Sequence, residues 1–559
     1  IFMKKSQRSI INRGILKKKK VFSILSILLL ISILLSSCII KQSYKFTDVI
    51  IYSLKGDIHY VDFDGKKDRL LVSKDDVLKL YNKKEEFNEL RLHPLCVSSD
   101  KHKLFFTKMI VQGSGTERKD YYELFSIDSN RNNIKKLTDE EFEVLKPYYS
   151  QDKNYVAFIA LNKQKGAIFI LQLSDGTFKR VTPWYYNTKS LDSITDIVFS
   201  QDSKKIFFVV INKNENSYDL NMIDINNEKI ETIVSDVRDI TIYEWSYDGK
   251  MLAFTIKVSG WEWYDSKQKL CIVENEGSNF KILTEALYQI SSVKWSNDSS
   301  KILFNHYGKP ETWESISKNN FLSVVDIKEA DFKETSGYDI IDGYWTLDNF
   351  KVVAKIGEDN PSELDIPRYA IYIIDIESMN PIRITPYYPY IDKLTFHPED
   401  KDKVIFTSGP FPYTNTNKLE ILNLKDKTIK TVEVFDKDQE ITDISFSPDS
   451  KNYFIRVRRN KFDNSSNIEI SVSLFIYNSN TNTTLRKFET DVNEEFGGIK
   501  WISNNEIIFN KYSIVSGITA MEEYFQDIYL YRFNVSNGEI FELTFRNVGS
   551  FDNLIVASD

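Results

Sequence analysis

Blocks of apolar and polar residues alternate along the chain in a recurring order. In the stretch "ITDISFSPDSKNYFIRV", residues 441–457, apolar side chains at Ile441, Ile444 and Phe446 lead into a polar segment, residues 447–451. A second apolar run follows from Tyr453 to Val457. Two apolar runs joined by a short cluster of Ser, Pro, Asp and Lys predict a β-hairpin with a tight turn. We call this polar segment, and its equivalents below, the knot.

The same order of residues recurs along the whole chain, which makes the period the first question about the fold. Close copies begin at Ile194, Ile240 and Ile290, a looser one at Val144, and eroded ones at Cys96, Ile340, Tyr390 and Phe496. The first residue of each knot lies 46 to 56 positions after the previous one, at positions 98, 150, 200, 246, 296, 346, 397, 447 and 503.

Each unit has a second half that also predicts a hairpin. Apolar runs such as "IFILQL" from Ile168 and "IYIIDI" from Ile371 precede a turn cluster and a short final run. Every unit therefore predicts four strands. Residues 49–73 predict three strands, and residues 550–559 supply a candidate for the missing first one, which makes ten units. Single rings usually hold four to eight blades, so the alternatives are one wide ring, which we favour, and two smaller rings.

The knot itself has the chemistry of a turn. Its full form, Ser-x-Asp-Gly-Lys, occurs at residues 246–250, where Gly249 is free to take positive φ. Elsewhere Ser or Lys replaces that glycine, so either the turn type varies or these residues adopt the left-handed conformation. Because the strands are apolar at nearly every position, both faces of each sheet should be buried. The predicted fold class is all-β, a β-propeller of four-stranded antiparallel blades.

The repeat resembles a known one. Apolar-x-Trp/Phe-Ser-x-Asp-Gly/Ser-Lys, followed by Leu-Tyr-x-x-Asp-like and x-Leu-Thr segments, is similar to the TolB-like propeller repeat, a WD40-like repeat also found in prolyl oligopeptidase propellers. The resemblance covers residue 48 to the end and implies a propeller used as a binding surface. The eroded knots at 346, 397 and 503 depart from the family pattern, which leaves the shape of those blades open.

The start of the chain predicts export. Eight Lys or Arg precede residue 21, an apolar run covers residues 21–35, and Leu35-Ser36-Ser37-Cys38 follows. This end resembles the bacterial lipobox, which implies lipidation of Cys38. We divide the chain into a signal peptide (1–37), a tether (38–47) and a propeller (48–559). The alternative is an uncleaved anchor over residues 21–40. Both place the propeller outside the cytoplasmic membrane of a bacterium.

Charge and cysteine usage narrow the classes of partner. The chain carries 73 Lys and Arg against 80 Asp and Glu, a formal charge of −7, and without the eight leader cations 65 against 80, or −15. An acidic surface disfavours nucleic acid as a partner. The two remaining cysteines, Cys96 and Cys271, are too far apart in the repeat for us to predict a disulfide between them. We expect both to be buried and to pack as apolar side chains.

Motifs for chemistry are missing from the sequence. There is no Gly-x-Ser-x-Gly elbow and no phosphate-binding glycine loop. Oligogalacturonate lyases resemble this propeller type and use histidines with a divalent metal, so a metal-dependent polysaccharide lyase is the alternative function. It would require His93, His306 and His397 to converge, although their spacing is not that of a zinc site. We expect no catalytic group, metal or cofactor.

Several of the segments that connect the strands are long and rich in Trp and Tyr. In a propeller, the loop between the second and third strands and the link from the fourth strand to the next blade emerge on one face. Trp and Tyr there are typical of binding hot spots, although they also cap blade edges. The candidate binding face comprises Trp184, Tyr185, Tyr186, Trp261, Trp263, Tyr264, Trp313, Tyr387, Tyr388 and Tyr390.

The sequence thus predicts a membrane-anchored extracytoplasmic propeller that binds a protein or glycan partner without catalysis. The alternatives are the metal-dependent lyase and a structural component of the cell envelope.

Overall fold

The structure is a computed structural model of the chain. It describes residues 45–54, 56–63, 68–80, 89–112, 119–138, 143–162, 165–186, 194–212, 217–260, 266–308, 320–335, 339–358, 368–409, 416–462, 468–491, 493–516, 523–543 and 555–557. The predicted leader and Cys38 lie outside these ranges.

The described strands form ten four-stranded units, which we number as blades 1 to 10. Blade 1 contains β1 (Val49–Leu54), β2 (Asp57–Asp62) and β3 (Arg69–Val72), followed by a short helix, α1 (Lys74–Leu78). Blade 2 contains β4 (Glu89–Val97), β5 (Lys103–Gln112), β6 (Lys119–Asp128) and β7 (Lys135–Lys136). Blade 3 contains β8 (Glu143–Tyr149), β9 (Tyr155–Asn162), β10 (Lys165–Gln172) and β11 (Phe178–Arg180), with the link strand β12 (Tyr185–Tyr186).

The next four blades follow the same order. Blade 4 contains β13 (Ile194–Phe199), β14 (Lys205–Asn212), β15 (Ser217–Asp224) and β16 (Ile230–Val237). Blade 5 contains β17 (Asp239–Trp245), β18 (Met251–Ser259), β19 (Lys267–Glu274) and β20 (Lys281–Ile282). Blade 6 contains β21 (Leu287–Trp295), β22 (Lys301–Tyr307), β23 (Asn320–Asp326) and β24 (Phe332–Glu334). Blade 7 contains β25 (Asp339–Trp345), β26 (Lys351–Glu358), β27 (Arg368–Asp375) and β28 (Pro381–Arg383).

Three blades and one closing strand complete the chain. Blade 8 contains β29 (Tyr390–Phe396), β30 (Lys403–Gly409), β31 (Lys418–Asn423) and β32 (Ile429–Val434). Blade 9 contains β33 (Gln439–Phe446), β34 (Asn452–Phe462), β35 (Ile468–Asn478) and β36 (Thr484–Glu489). Blade 10 contains β37 (Glu494–Ser503), β38 (Glu506–Ser516), β39 (Glu523–Asn534) and β40 (Ile540–Glu542). The last strand, β41 (Ile555–Ala557), joins blade 1.

Blade 1 is completed by the far end of the chain, as the repeat predicts. β41 pairs antiparallel with β1, with Val49 opposite Ala557, Ile50 opposite Val556 and Ile51 opposite Ile555. It therefore supplies the first strand that the N-terminal segment lacks. This pairing confirms the prediction of ten units.

Alternate side chains of one strand pack against two different neighbours. In β14, Ile206, Phe208 and Val210 lie in the core shared with blade 3, whereas Phe207 and Val209 lie in the core shared with blade 5. Successive side chains of a strand point to opposite faces, which explains why apolar residues fill nearly every position. The prediction that both faces of the sheets are buried is confirmed.

These cores close one ring. Ten apolar clusters join consecutive blades, and the tenth places Ile50 and Tyr52 of blade 1 against Ile508 and Leu530 of blade 10. Every blade of the described chain is thus packed between two others. Of the two arrangements that the sequence leaves open, the single ring is the one observed.

The knot is a turn with the same hydrogen bonds in seven blades. In blade 6, the Ser296 hydroxyl donates to Asp298 at 2.6 Å and accepts from the Lys301 amide at 2.9 Å. The first residue of the knot donates to the aspartate two positions later in blades 2, 3, 4, 5, 7 and 9 as well. Thr346 substitutes for serine in blade 7, so that eroded knot keeps its shape.

The fourth residue of the knot has positive φ whether or not it is glycine. Gly249 has φ of 69°, while Lys153, Ser203 and Asn349 have φ of 55°, 60° and 62°. Of the two alternatives, the left-handed conformation of non-glycine residues is therefore the one adopted. The two oxygens of the Ser-x-Asp pair hold this conformation by accepting turn N–H groups.

The aromatic residues that end the first strands connect neighbouring blades. The indole N–H of Trp295 donates to the Glu244 carbonyl of blade 5 at 3.1 Å, and that of Trp345 donates to the Lys294 carbonyl of blade 6 at 3.1 Å. Both rings are at most 8% exposed. These aromatic side chains belong to the core between blades.

A register shift interrupts the first strand of every blade from 2 to 10. It falls, for example, between Ile194 and Ile197 in β13, and between Ile391 and Leu394 in β29. The equivalent shifts occur in β4, β8, β17, β21, β25, β33 and β37. First strands of adjacent blades contact one another, as β17 and β21 do, so they surround the axis. Bulges re-aim side chains, and here they do so on the inner wall of the ring.

Candidate functional site

The ring has two faces with different segments. The knots and the turns between third and fourth strands form one face, which we call the knot face. The loops between second and third strands and the links between blades form the other, the loop face. In blade 3, the link residue Tyr185 pairs with Gly166 at the start of β10, and in blade 7 Tyr388 pairs with Tyr369 at the start of β27. The predicted sharing of one face by loops and links is therefore confirmed in both blades.

On the loop face of blade 7, one predicted residue, Tyr387, contacts two arginines. The guanidinium carbons of Arg368 and Arg383 lie 4.0 and 4.1 Å from the centre of the Tyr387 ring. Tyr387 also packs on the core between blades 6 and 7 and is half-buried. Arginine stacked on an aromatic ring gains cation–π attraction and leaves its N–H groups available at the ring edge.

Blade 3 carries a related arrangement with one arginine. The guanidinium carbon of Arg180 lies 5.6 Å from the centre of the Trp184 ring. That ring also contacts Phe169, edge-on at 6.0 Å, and Phe169 in turn stacks on Phe178 at 5.1 Å. Trp184 is half-buried and Arg180 is exposed.

A shared sequence builds both clusters. Residues 180–185 are Arg-Val-Thr-Pro-Trp-Tyr and residues 383–388 are Arg-Ile-Thr-Pro-Tyr-Tyr. The threonine hydroxyl accepts the N–H of the third strand in each, from Ile168 to Thr182 at 2.8 Å and from Ile371 to Thr385 at 2.9 Å. This bond fixes the link against the blade, so the proline and aromatic residue that follow project at the same place. We call the two copies the Arg–aromatic clusters.

The tyrosine that ends each motif anchors the link to the next blade. Tyr185 packs on Phe208 of blade 4 at 6.2 Å, and Tyr388 packs edge-on against Phe406 of blade 8 at 5.8 Å. The Tyr388 hydroxyl also donates to the buried Glu420 at 3.4 Å. Burial, and then the negative charge of Glu420, raise the pKa of Tyr388. These two tyrosines therefore hold the clusters in place.

The remaining predicted residues of the binding face fall into two groups. Tyr390 begins β29 and contacts Tyr369 edge-on at 6.0 Å, and Tyr186 pairs with Lys165 through its backbone. Trp261, Trp263, Tyr264 and Trp313 lie outside the described residues, so their part in the face stays a prediction.

Sequence reasoning missed the arginines. Arg180, Arg368 and Arg383 complete the clusters, yet only aromatic residues were expected on this face. The signal is present in the sequence, because Arg-x-Thr-Pro-aromatic-Tyr occurs twice, in blades 3 and 7. Arg368, which precedes its tyrosine by nineteen positions, is identified only once β27 and the link are side by side.

The three histidines considered for the lyase have separate surroundings. His93 is on β4 of blade 2, where burial and the positive charge of Arg91 lower its pKa. His306 is on β22 of blade 6 and contacts Glu334 at 3.1 Å, and His397 in blade 8 accepts the Asp400 amide at 3.1 Å. They lie in three different blades with different partners. Among the described residues, no three His, Cys, Asp or Glu side chains are grouped so that they could hold a metal ion.

The two described cysteines are buried and unpaired, as expected. Burial raises the pKa of both thiols, that of Cys271 to about 12. Within the part of the chain that the structure describes, no helix is both long and apolar enough to cross a membrane. The proposed lipid site at Cys38 stays a prediction.

No family model matches the chain, and no curated protein matches it. Among solved structures, it is similar to TolB from Acinetobacter baumannii, with 14% identity, 67% of this chain and 74% of that chain covered, and a TM-score of 0.24. It is similar to oligogalacturonate lyase from Vibrio parahaemolyticus at 14% identity, covering 69% and 100%, with a TM-score of 0.34. The β-propeller domain of the Trilobed protease from Pyrococcus furiosus gives 15% identity, 73% and 99% coverage, and a TM-score of 0.32. At such identities the likeness concerns the propeller architecture alone.

Proposed function

We propose that the protein is an extracytoplasmic, membrane-anchored propeller that binds a protein partner through its loop face and has no catalytic activity of its own. The observation that carries this proposal is the pair of Arg–aromatic clusters. Arg, Tyr and Trp are the residue types that dominate the energetics of protein interfaces. Their occurrence twice in one arrangement, in blades 3 and 7, favours an extended partner surface over a single small ligand.

The clusters are ordered before any partner arrives. Tyr387 contacts two guanidinium groups, and Trp184 contacts both Arg180 and Phe169. Side chains already fixed by their neighbours lose little conformational entropy on binding, so more of the contact energy remains as affinity. The exposed Arg180 and Arg383 carry hydrogen-bond donors that suit carboxylates or carbonyl groups of a protein.

The entry of the chain supports the assignment of faces. Phe46 is buried between blades 1 and 2, and its amide donates to the carbonyl of Lys101, a knot residue of blade 2, at 2.8 Å. The described chain therefore enters the ring on the knot face. Phe46 lies eight positions after Cys38 in the sequence, a span of at most about 29 Å. With the anchor on that side, the loop face and its clusters are directed away from the membrane.

The proposal is tested by capture from the cell envelope with the full chain. Partners that cross-link to the wild type are identified, and the variants Arg383→Ala and Arg180→Ala are compared with it. Because both arginines are exposed, we expect either variant to keep the wild-type melting temperature and to lose at least tenfold of the captured partner.

Matched controls are available on the other face. On the knot face, the side chains of Tyr247 and Phe350 are 69% and 67% exposed. Tyr247→Ala and Phe350→Ala therefore each remove a large exposed side chain, as the two arginine variants do. These variants should capture the partner as the wild type does. Equal loss from all four variants, or a partner retained by both arginine variants, would contradict recognition through the loop face. A partner lost only from the knot-face variants would favour the structural envelope role.

A further inference from the structure

A cavity of about 460 Å³ opens in the inner wall of the ring, where blades 7, 8 and 9 meet. The register shifts of β25, β29 and β33 fall in this region of the wall. Its lining combines charged side chains, among them Lys355 and Asp443, with apolar ones such as Ile341 and Leu394. Volumes of this order accommodate small ligands in known binding sites.

Two of the charged groups in this wall already have partners. Asp342 accepts from the Lys294 ammonium at 2.7 Å and from the Ser292 hydroxyl at 3.0 Å. Asp392 lies 3.2 Å from the ammonium of its neighbour Lys393. In each pair the lysine ammonium offsets the negative charge of the aspartate, so neither pair adds much net charge to the cavity.

Lys355 and Asp443 are different. The Lys355 ammonium donates to the Ile391 carbonyl at 2.9 Å, and within the described chain no carboxylate lies within 4 Å of it. Burial lowers the pKa of Lys355, opposed by the charges of Asp392 and Asp342. Within the described chain, the exposed Asp443 accepts a hydrogen bond from the amide of Ile444 at 2.8 Å, and no cation lies within 4 Å of its carboxylate. The cavity therefore presents one cation and one anion that lack an ionic partner.

Apolar surface also faces the cavity. Ile341, the bulged residue of β25, is 39% exposed although it lies in a strand of the ring. Leu394 and Ile444 line the cavity with it, on blades 8 and 9. The Tyr344 ring, with the Lys294 ammonium 3.8 Å from its centre, forms a further part of the wall. Apolar walls with a few convergent polar groups are typical of small-molecule sites.

We propose that this cavity binds a small zwitterion, with a carboxylate placed at Lys355 and an ammonium at Asp443, and with the apolar part of the ligand against Ile341 and Leu394. Each ligand charge would supply the ionic partner that one of these residues lacks. Free amino acids and short peptides share this chemistry, and the test separates them by length. The site is independent of the loop face, so it does not rest on the function proposed above.

The test is calorimetric titration of the full chain with alanine, trialanine and Leu-Gly-Leu, and with the N-acetyl derivative and the C-terminal amide of each. We expect a zwitterion to bind and each blocked peptide to bind at least tenfold more weakly. Binding by alanine alone identifies an amino-acid site, and binding by the tripeptides identifies a peptide site. Equal binding of zwitterions and blocked peptides, or no binding of any zwitterion, overturns the proposal.

Two variants assign the charges. In Lys355→Met, the zwitterion that binds the wild type and its C-terminal amide should bind equally, because the carboxylate has lost its partner. In Asp443→Asn, that zwitterion and its N-acetyl derivative should bind equally. Lys451→Met on the knot face is the control and should leave every affinity unchanged. Melting temperatures establish that each variant folds, and discrimination that persists in both folded variants also overturns the assignment.

Discussion

Arg532 of blade 10 donates a hydrogen bond to the carbonyl oxygen of Phe63 in blade 1, across 469 positions of sequence. Its guanidinium also contacts Glu506 of blade 10, and its carbon lies 5.5 Å from the centre of the Phe63 ring. Together with the pairing of β1 and β41, this contact closes the ring between its first and last blades.

Removal of the Arg532 guanidinium should loosen this closure. Arg532 and Glu506 are 17% and 16% exposed, so Arg532→Met leaves a largely buried carboxylate without its cation. We expect the free energy of unfolding to fall by about 2 kcal/mol, measured by urea denaturation. The double variant Arg532→Met, Glu506→Leu should recover most of the loss.

A matched control for this prediction lies in blade 9. Lys487 and Glu489 form an ion pair at 47% and 58% exposure, and Lys487→Met should cost less than about 0.5 kcal/mol. An Arg532 variant that is no less stable than this control would show that the closure depends on β41 and on the apolar core between blades 1 and 10, without a contribution from Arg532.

At the fourth position of the knot, we expect two substitutions to change the free energy of unfolding in opposite directions. Gly249 has φ of 69°, and a Cβ there would lie 2.7 Å from the Cβ of Gln201 in blade 4. Gly249→Ala should therefore destabilise the protein by about 1 to 3 kcal/mol. Lys153 holds the same conformation at φ of 55° with an exposed side chain, so Lys153→Gly relieves strain. We expect it to be neutral or stabilising by up to about 1 kcal/mol.

Urea denaturation of the two variants side by side provides the measurement. If both substitutions destabilise to the same extent, the knots of blades 3 and 5 are not equivalent, and the left-handed conformation is not what the repeat preserves.

The sequence repeat predicts the architecture because each hairpin is formed by residues that are close together in the chain. Apolar runs such as β14 and turns such as residues 246–250 define hairpins within each repeat of about 50 residues. Because each blade needs four strands and the N-terminal segment supplies three, the repeat also predicts that β41 completes blade 1. The inner wall is not predicted in this way. The shift between Ile391 and Leu394 depends on how β29 registers against β30, and the partner of Asp342 is Lys294 of another blade. Such pairings across blades have no fixed spacing in the sequence.

Two aspartates should respond to pH with opposite signs. Burial, and then the charge of Asp239, raise the pKa of Asp196 above its unfolded value. Ionised Asp196 therefore destabilises the folded protein at pH values above its pKa in the folded state. This destabilisation disappears as the pH falls below its pKa in the unfolded chain, about 3.9. Asp196→Asn should raise the urea midpoint at pH 7 and leave it unchanged near pH 3.

Asp298 of the knot behaves in the opposite way. Burial works to raise its pKa, but hydrogen bonds from Ser296 and Ser300 outweigh burial and lower it. Its carboxylate thus contributes stability above pH 3.9 that is lost as the pH falls through the folded pKa. Asp298→Asn should lower the stability at pH 7 by about 1 kcal/mol, with a smaller effect near pH 3. A parallel pH dependence in the two variants would contradict these environments.

The proposed membrane anchor implies an orientation of the ring that can be measured directly. The described cysteines are buried, so we expect a new surface cysteine to be labelled selectively. Tyr247→Cys on the knot face and Arg383→Cys on the loop face are both at exposed positions. Each full-length variant is labelled with a fluorophore and reconstituted in vesicles that contain a nitroxide lipid. Because Phe46 enters on the knot face, the label at position 247 should be quenched more strongly than the label at position 383. Release of the protein by a protease site inserted at residues 40–44 should abolish the difference. Stronger quenching at position 383 would place the Arg–aromatic clusters against the membrane, where a protein partner in solution cannot reach them.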